Sequence, residues 1–234
     1  MPNFGVIKAQ AQATCSFASS HAMFCIKMLI ADIRHFTDGS PELPTPARKL
    51  RDFLAHIIRA GTAAGAVNFI SGIPCRKKVA RRACPGLIWV NRINVPSDII
   101  LWCCDSCKDS GEISGHLGHW SDLSSVSVGL DEDRDADEEN LDVMLTNAEF
   151  KALISSKLIP YNLESVRLIY SAYACDEGIV LSGWESDLDL LRDAVAADAN
   201  HEKSRVRKKF IDSFYNKLCW VLDGAMDRCE SVLH

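Results

Sequence analysis

"CRKKVARRACPGLIWVNRINVPSDIILWCCDSCKDSGEIS", residues 75–114, decides the reading of this chain. It holds five of the ten cysteines and crowds them beside a run of arginine and lysine. Leu87–Ile93 ("LIWVNRI") and Asp98–Cys104 ("DIILWCC") are rich in β-branched and aromatic residues and flank "NVPS", which predicts a β-hairpin. Cys104-Asp-Ser-Cys107 is a Cys-x-x-Cys pair, whose short spacer lets two sulfurs turn toward one ion, and Gly111 follows where the chain is expected to turn away. Cys75 and Cys84, with Pro85-Gly86 behind them as a tight turn, supply a second pair on the other side of the hairpin. Together Cys75, Cys84, Cys104 and Cys107 make a four-thiolate set of the kind that holds Zn2+ in a tetrahedron.

Three rival sets have to be weighed. Cys103 is disfavoured against Cys104 because adjacent side chains on a strand point to opposite faces. His116 or His119 in place of a cysteine stays open, although only eight residues separate Cys107 from His116 and Gly118 interrupts "HLGH". Burial of the thiols without any metal also stays open, since free cysteine is among the most buried residue types.

With these residues in place, the stretch resembles a zinc ribbon over roughly residues 73–115. That resemblance implies two cysteine-bearing turns at one end of a small antiparallel sheet. Two departures stand out: eight residues lie between Cys75 and Cys84, and the second turn has no proline after Cys104 and no glycine after Cys107. The wider string "CPGLI … IILWCCDSC … GEIS" is similar to a group of bacterial proteins without an assigned activity, which implies a structural unit and no chemistry.

Four thiolates leave no open position for water and place a net charge of −2 on the centre, so a structural zinc is expected rather than a catalytic one. "RKKVARR" (Arg76, Lys77, Lys78, Arg81, Arg82) then balances that charge, or faces phosphates of a nucleic acid, with Trp89 and Trp102 as candidate stacking residues. The remaining cysteines are scattered singly on apolar patterns, and no nucleophile has a visible partner.

The chain has 234 residues, with ordinary globular values of 47% hydrophobic and 24% charged residues. Its net charge of −5 is uneven: residues 1–125 carry 14 Lys+Arg against 9 Asp+Glu, and residues 126–234 carry 12 against 22. No apolar run reaches the roughly 18–20 residues that span a bilayer, and no secretory signal is convincing. The expectation is a cytoplasmic protein with reduced thiols.

Residues 1–27 read as a weakly structured extension, and Met28 opens a better-patterned segment, "MLIADIRHF", expected as a short helix. Residues 28–126 form a helical segment plus the zinc-ribbon-like module; Thr45 and Pro46 open its helix, with Leu50, Phe53, Leu54, Ile57 and Ile58 at helical spacing. Residues 127–142 hold "GLDEDRDADEEN", seven acids and one arginine, and read as an acidic linker. Residues 143–234 read as a helical domain, with capping boxes at Thr146/Glu149 and Ser182/Glu185. Leu188, Leu191, Val195, Ala199, Val206, Phe210, Phe214, Leu218, Leu222 and Met226 trace a long stripe, as one helix or two broken near Asn200-His201.

The fold class expected is therefore α+β: a small zinc-stabilised antiparallel hairpin module with an antiparallel helical domain that ends in a long helix. The expected function is a non-enzymatic zinc-binding protein that meets a protein or a nucleic acid, without membrane contact, and that can form a homodimer through the C-terminal helix. Its rival is an enzyme or thiol-redox protein using the Cys104/Cys107 pair.

Overall fold

The computed structural model describes residues 28–36, 43–64, 68–93, 98–126, 138–156, 159 and 163–232, and only the backbone of 225–232. The extension 1–27, "NVPS" and most of the acidic stretch lie outside them. The elements run in the order β1 (Leu29–Asp32), a 3-10 turn (Ile33–His35), α1 (Thr45–Ala63), β2 (Asn68–Pro74), β3 (Lys78–Val79), β4 (Arg82–Ala83), β5 (Leu87–Ile93), β6 (Ile99–Cys104), β7 (Ser110–Ser114), β8 (Asn140–Leu145), α2 (Asn147–Ile154), α3 (Leu163–Ser171), β9 (Tyr173–Cys175), β10 (Gly178–Trp184), α4 (Glu185–His201) and α5 (Arg205–Val232). The mixed α and β content expected from the sequence is present.

Eight strands join in one sheet of order β1-β7-β6-β5-β2-β9-β10-β8, and β3 pairs with β4 apart from it. Only β1 and β7 run parallel; every other pair is antiparallel. β2 is the hinge of this arrangement. Its pairing with β5 is irregular between Ile70 and Pro74, and at that point Ser71 pairs with Tyr173 of β9. Ser71 is fully buried there, and its hydroxyl donates to Ile88 O at 2.7 Å, so the irregular stretch leaves no stranded polar group at that side chain.

Alternation along the strands sorts one face for the core. Ile88, Val90, Ile100, Trp102, Ile113, Leu141, Val143, Leu145, Ile179 and Leu181 are buried. α1 lies on this face, with Phe53 edge-on to Trp102 at a centroid distance of 5.3 Å. Phe150 of α2 packs over Gly72, and Leu168 of α3 and Leu188 of α4 pack over Gly183.

Several expectations are corrected here. "MLIADIRHF" is strand and 3-10 turn rather than helix, because β7 offers a backbone edge that pairs Leu29–Asp32 with Gly111–Ser114. Asn140–Asp142, expected as linker, belong to β8, and residues 143–234 contribute strands as well as helices. Gly111 does not turn the chain: it lies in β7, where a Cβ would come within 2.6 Å of the Trp102 indole nitrogen. Ser182 caps nothing; it sits in β10 and its hydroxyl donates to Asp142, while Trp184 precedes α4. The Thr146/Glu149 box forms with both reciprocal bonds.

The long stripe divides into α4 and α5 at residues 202–204. Arg207 holds the joint together, bonding Asp198 Oδ2 at 2.9 Å, Glu202, and Ala152 O at 3.2 Å. Leu188, Leu191, Val195, Phe214, Leu218 and Leu222 are buried within the chain, but Val206 of the expected stripe is 70% exposed.

Between α1 and α3, the Tyr170 hydroxyl lies 2.5 Å from His56 Nδ1, with Arg59 stacked over the Tyr170 ring. Burial, with the Arg59 cation second, holds His56 down at about 4. A solvated imidazole titrates near ~6.5, so between roughly pH 6.5 and 4 the unfolded chain binds a proton that the folded chain refuses. The sign follows: this stability is complete above about pH 6.5 and is lost as pH falls toward 4, by on the order of 3 kcal/mol. His56→Gln is expected to flatten that dependence. Urea midpoints of both proteins at neutral and acid pH check it, and an equal acid loss in the variant would contradict it.

Candidate metal centre

The cysteines gather at one end of the sheet because β2, β5 and β6 all begin or end there. Cys75 follows Pro74 at the end of β2, Cys84 follows β4, and Cys104 closes β6 with Cys107 three residues on. Their ligand atoms lie within 4.8 Å of one another, and among the described residues they are the one such group of three or more His, Cys, Asp or Glu side chains. Cys75 Sγ is 3.6 Å from Cys107 Sγ, and Cys84 Sγ is 3.7 Å from Cys104 Sγ. Zinc–sulfur bonds of about 2.3 Å would set tetrahedral sulfurs about 3.8 Å apart. A disulfide would need about 2.05 Å. All four are free thiols, and their spacing leaves room for a metal ion between them.

Local backbone bonds fix each sulfur. Cys75 N donates to Gly86 O at 2.9 Å, Cys84 N to Lys77 O at 2.9 Å, and Cys104 N to Asp109 O at 2.7 Å. Backbone N–H groups also donate to the sulfurs, Lys77 N to Cys75 Sγ and Cys107 N to Cys104 Sγ, both at 3.4 Å. Gly86 has to be glycine, since a Cβ there would stand 2.5 Å from Cys104 Sγ and 2.8 Å from Ser106 Cβ. The second turn solves its geometry differently from the usual glycine: Lys108 takes φ 60° immediately after Cys107.

Cys103 falls where the strand rule puts it, and the histidines lie apart from the cysteines. Cys104 is fully buried on the core side, while Cys103 projects from the other face and donates to Cys104 O at 3.4 Å. His116 is fully buried beyond the opposite end of β7, with Nε2 3.3 Å from Asp98 Oδ1. Neither it nor His119 joins the cysteine cluster.

Electrostatics favour a cation among the sulfurs. Burial pushes the Cys75 thiol up, and the Cys104 thiol up to about 11. At Cys107 burial is outweighed by hydrogen bonds from the Asp109 backbone and from its thiol neighbours, which hold it below the ordinary range. Four packed sulfurs cannot all ionise unless positive charge enters between them.

The basic run divides in two. Arg76 Nε lies 3.1 Å from Asp109 Oδ2 and Lys77 Nζ 3.2 Å from Oδ1, and the Asp109 side chain is only 2% exposed. The Arg76 guanidinium also stacks over Phe53 and Trp102 at 5.5 and 5.7 Å. Arg76 and Lys77 remain accessible at 31% and 52%, and Lys78, Arg81 and Arg82 stand exposed on the small hairpin β3–β4. Its turn holds Ala80 at φ 50° and Arg81 at φ 69°, both in the left-handed region. Trp102 is 1% exposed, so it is a packing residue and not a candidate for base stacking: its ring is core. Sequence reasoning missed Asp109, whose position two residues after Cys107 was the available signal.

No protein family, curated protein or solved structure matches this chain. No helix among the described residues is long and apolar enough to cross a membrane.

Proposed function

We propose that the chain is a zinc-binding interaction protein. Cys75, Cys84, Cys104 and Cys107 hold one structural Zn2+, and the metal fixes the base of the β3–β4 hairpin so that Lys78, Arg81 and Arg82 face a nucleic-acid backbone. The observation that carries this reading is the set of four cysteine sulfurs gathered within 4.8 Å of one another directly beneath an exposed basic hairpin. Four soft thiolates suit zinc and occupy every position around it, so the ion supplies folding free energy rather than a site for water or substrate.

The hairpin tip supports a contact role. Two-residue hairpin turns with both central residues in the left-handed region normally take Asn-Gly or Asp-Gly. Here the second position is Arg81, at a cost of about 1–2 kcal/mol against glycine. Strain kept at a projecting arginine fits a residue retained for what its side chain touches. The rival redox reading is weaker, because the Cys104–Cys107 pair closes β6 and enters a turn, and no helix begins there to activate a thiol.

Binding of a random-sequence DNA duplex, titrated with salt, tests the proposal. Each phosphate contact adds about 0.9 to the slope of log affinity against log salt. The variant carrying Lys78→Ala, Arg81→Ala and Arg82→Ala is expected to lose about 2–3 of that slope while keeping its zinc. An unchanged slope would sink the nucleic-acid reading and leave a protein partner.

A further inference from the structure

The same four sulfurs are arranged for a second chemistry, and this inference rests on the zinc reading above. We propose that the centre is an oxidation site for hydroperoxides, in which two disulfides that cross between the turns, Cys75–Cys107 and Cys84–Cys104, replace the metal. The Cys75–Cys107 and Cys84–Cys104 sulfur contacts, at 3.6 and 3.7 Å, share no sulfur and each joins one cysteine turn to the other. Oxidation along them uses all four thiols and keeps the two turns stapled together when the ion leaves.

Accessibility gives the order. Cys75, Cys84 and Cys104 are 8%, 5% and 0% exposed, whereas Cys107 is half-buried at the surface beside the exposed Lys108. The Cys107 thiolate attacks one oxygen of hydrogen peroxide; the O–O bond breaks, a sulfenic acid forms, and the departing hydroxide takes a proton to become water. Cys75 thiolate then attacks that sulfur, the S–S bond forms, and the S–O bond breaks to release a second hydroxide, also protonated to water. Two thiolates, one peroxide and two protons give one disulfide and two waters, with two electrons passing from sulfur to oxygen. Stripped of two anionic ligands, the zinc dissociates, and a second peroxide converts Cys84 and Cys104 in the same way. Cys103 takes no part, because its side chain leaves the opposite face of β6.

The test uses the full chain, with zinc content measured first. Hydrogen peroxide is added while zinc release is followed with a chromophoric chelator, and disulfides are mapped by non-reducing peptide mass spectrometry. The expected result is release of all the zinc in step with Cys75–Cys107 formation, then Cys84–Cys104, reversed by a phosphine reductant and added zinc. A Cys103→Ser variant should match the parent in rate and pairing. Zinc retained after exposed Cys175 is oxidised, a Cys104–Cys107 disulfide as the main product, or dependence on Cys103 would each overturn the proposal. A chain that holds no zinc before peroxide contradicts the zinc reading itself, and the disulfide map of that chain still decides the pairing.

Discussion

Cys104→Ser is expected to empty the metal centre and unfold the end of the sheet that carries β3–β4. Cys104 is the most buried of the four cysteines at 0% exposure, and its sulfur lies 3.7 Å from Cys84 Sγ and accepts the Cys107 N–H. A serine hydroxyl does not ionise near neutral pH and is a poor ligand for a thiolate-selecting ion. Small zinc modules draw about 10–16 kcal/mol of apparent free energy from their metal. Losing even about 5 kcal/mol moves Tm by roughly 10–20 °C at this chain length. Thermal unfolding with a zinc assay on the same sample checks it, and Cys103→Ser should leave both readings near the parent values. Retained zinc and an unchanged Tm in Cys104→Ser would mean that the ligand set is wrong.

The second large effect is expected at Asp109. Its carboxylate is 2% exposed and pairs with Arg76 and Lys77, while Arg76 lies against the rings of Phe53 and Trp102. Only the carboxylate is buried: Arg76 and Lys77 are 31% and 52% exposed and can still be solvated when it is removed, so the cost is that of its charge-assisted hydrogen bonds, about 1.5–3 kcal/mol. Asp109→Ala is thus expected to lose that much in urea unfolding and to open the Arg76–Lys77 segment to trypsin, with Asp109→Asn milder because it still accepts hydrogen bonds. A loss below about 0.5 kcal/mol, the range of ordinary surface substitutions, would show that the two cations are held by something else.

The parts legible in the sequence were those written locally. Leu87–Ile93 and Asp98–Cys104 carry their hairpin in β-branched residues, Thr146 and Glu149 their capping box in a three-residue offset, and Cys104–Cys107 their neighbouring sulfurs in a two-residue spacer. What escaped depended on distant partners. Leu29–Asp32 is a strand only because β7 lies beside it, and β8 is one because β10 returns to it after two helices. The pairing of Ser71 with Tyr173, which ties the later strands to β2, joins residues about a hundred positions apart and leaves no mark on either stretch. The basic run looked uniform, yet Arg76 and Lys77 pair with Asp109, while Lys78, Arg81 and Arg82 stand on the small hairpin. Of the two roles open to Trp102, base stacking or hairpin packing, it takes the second, because α1 covers that face of the sheet.

Zinc content per chain, measured by plasma mass spectrometry on protein purified without added metal, tests the central claim most directly. The account predicts about one zinc per chain, falling to a trace when Cys75 or Cys107 is replaced by serine. A metal-free parent chain that nonetheless keeps its fold, or zinc that survives both substitutions, would contradict it.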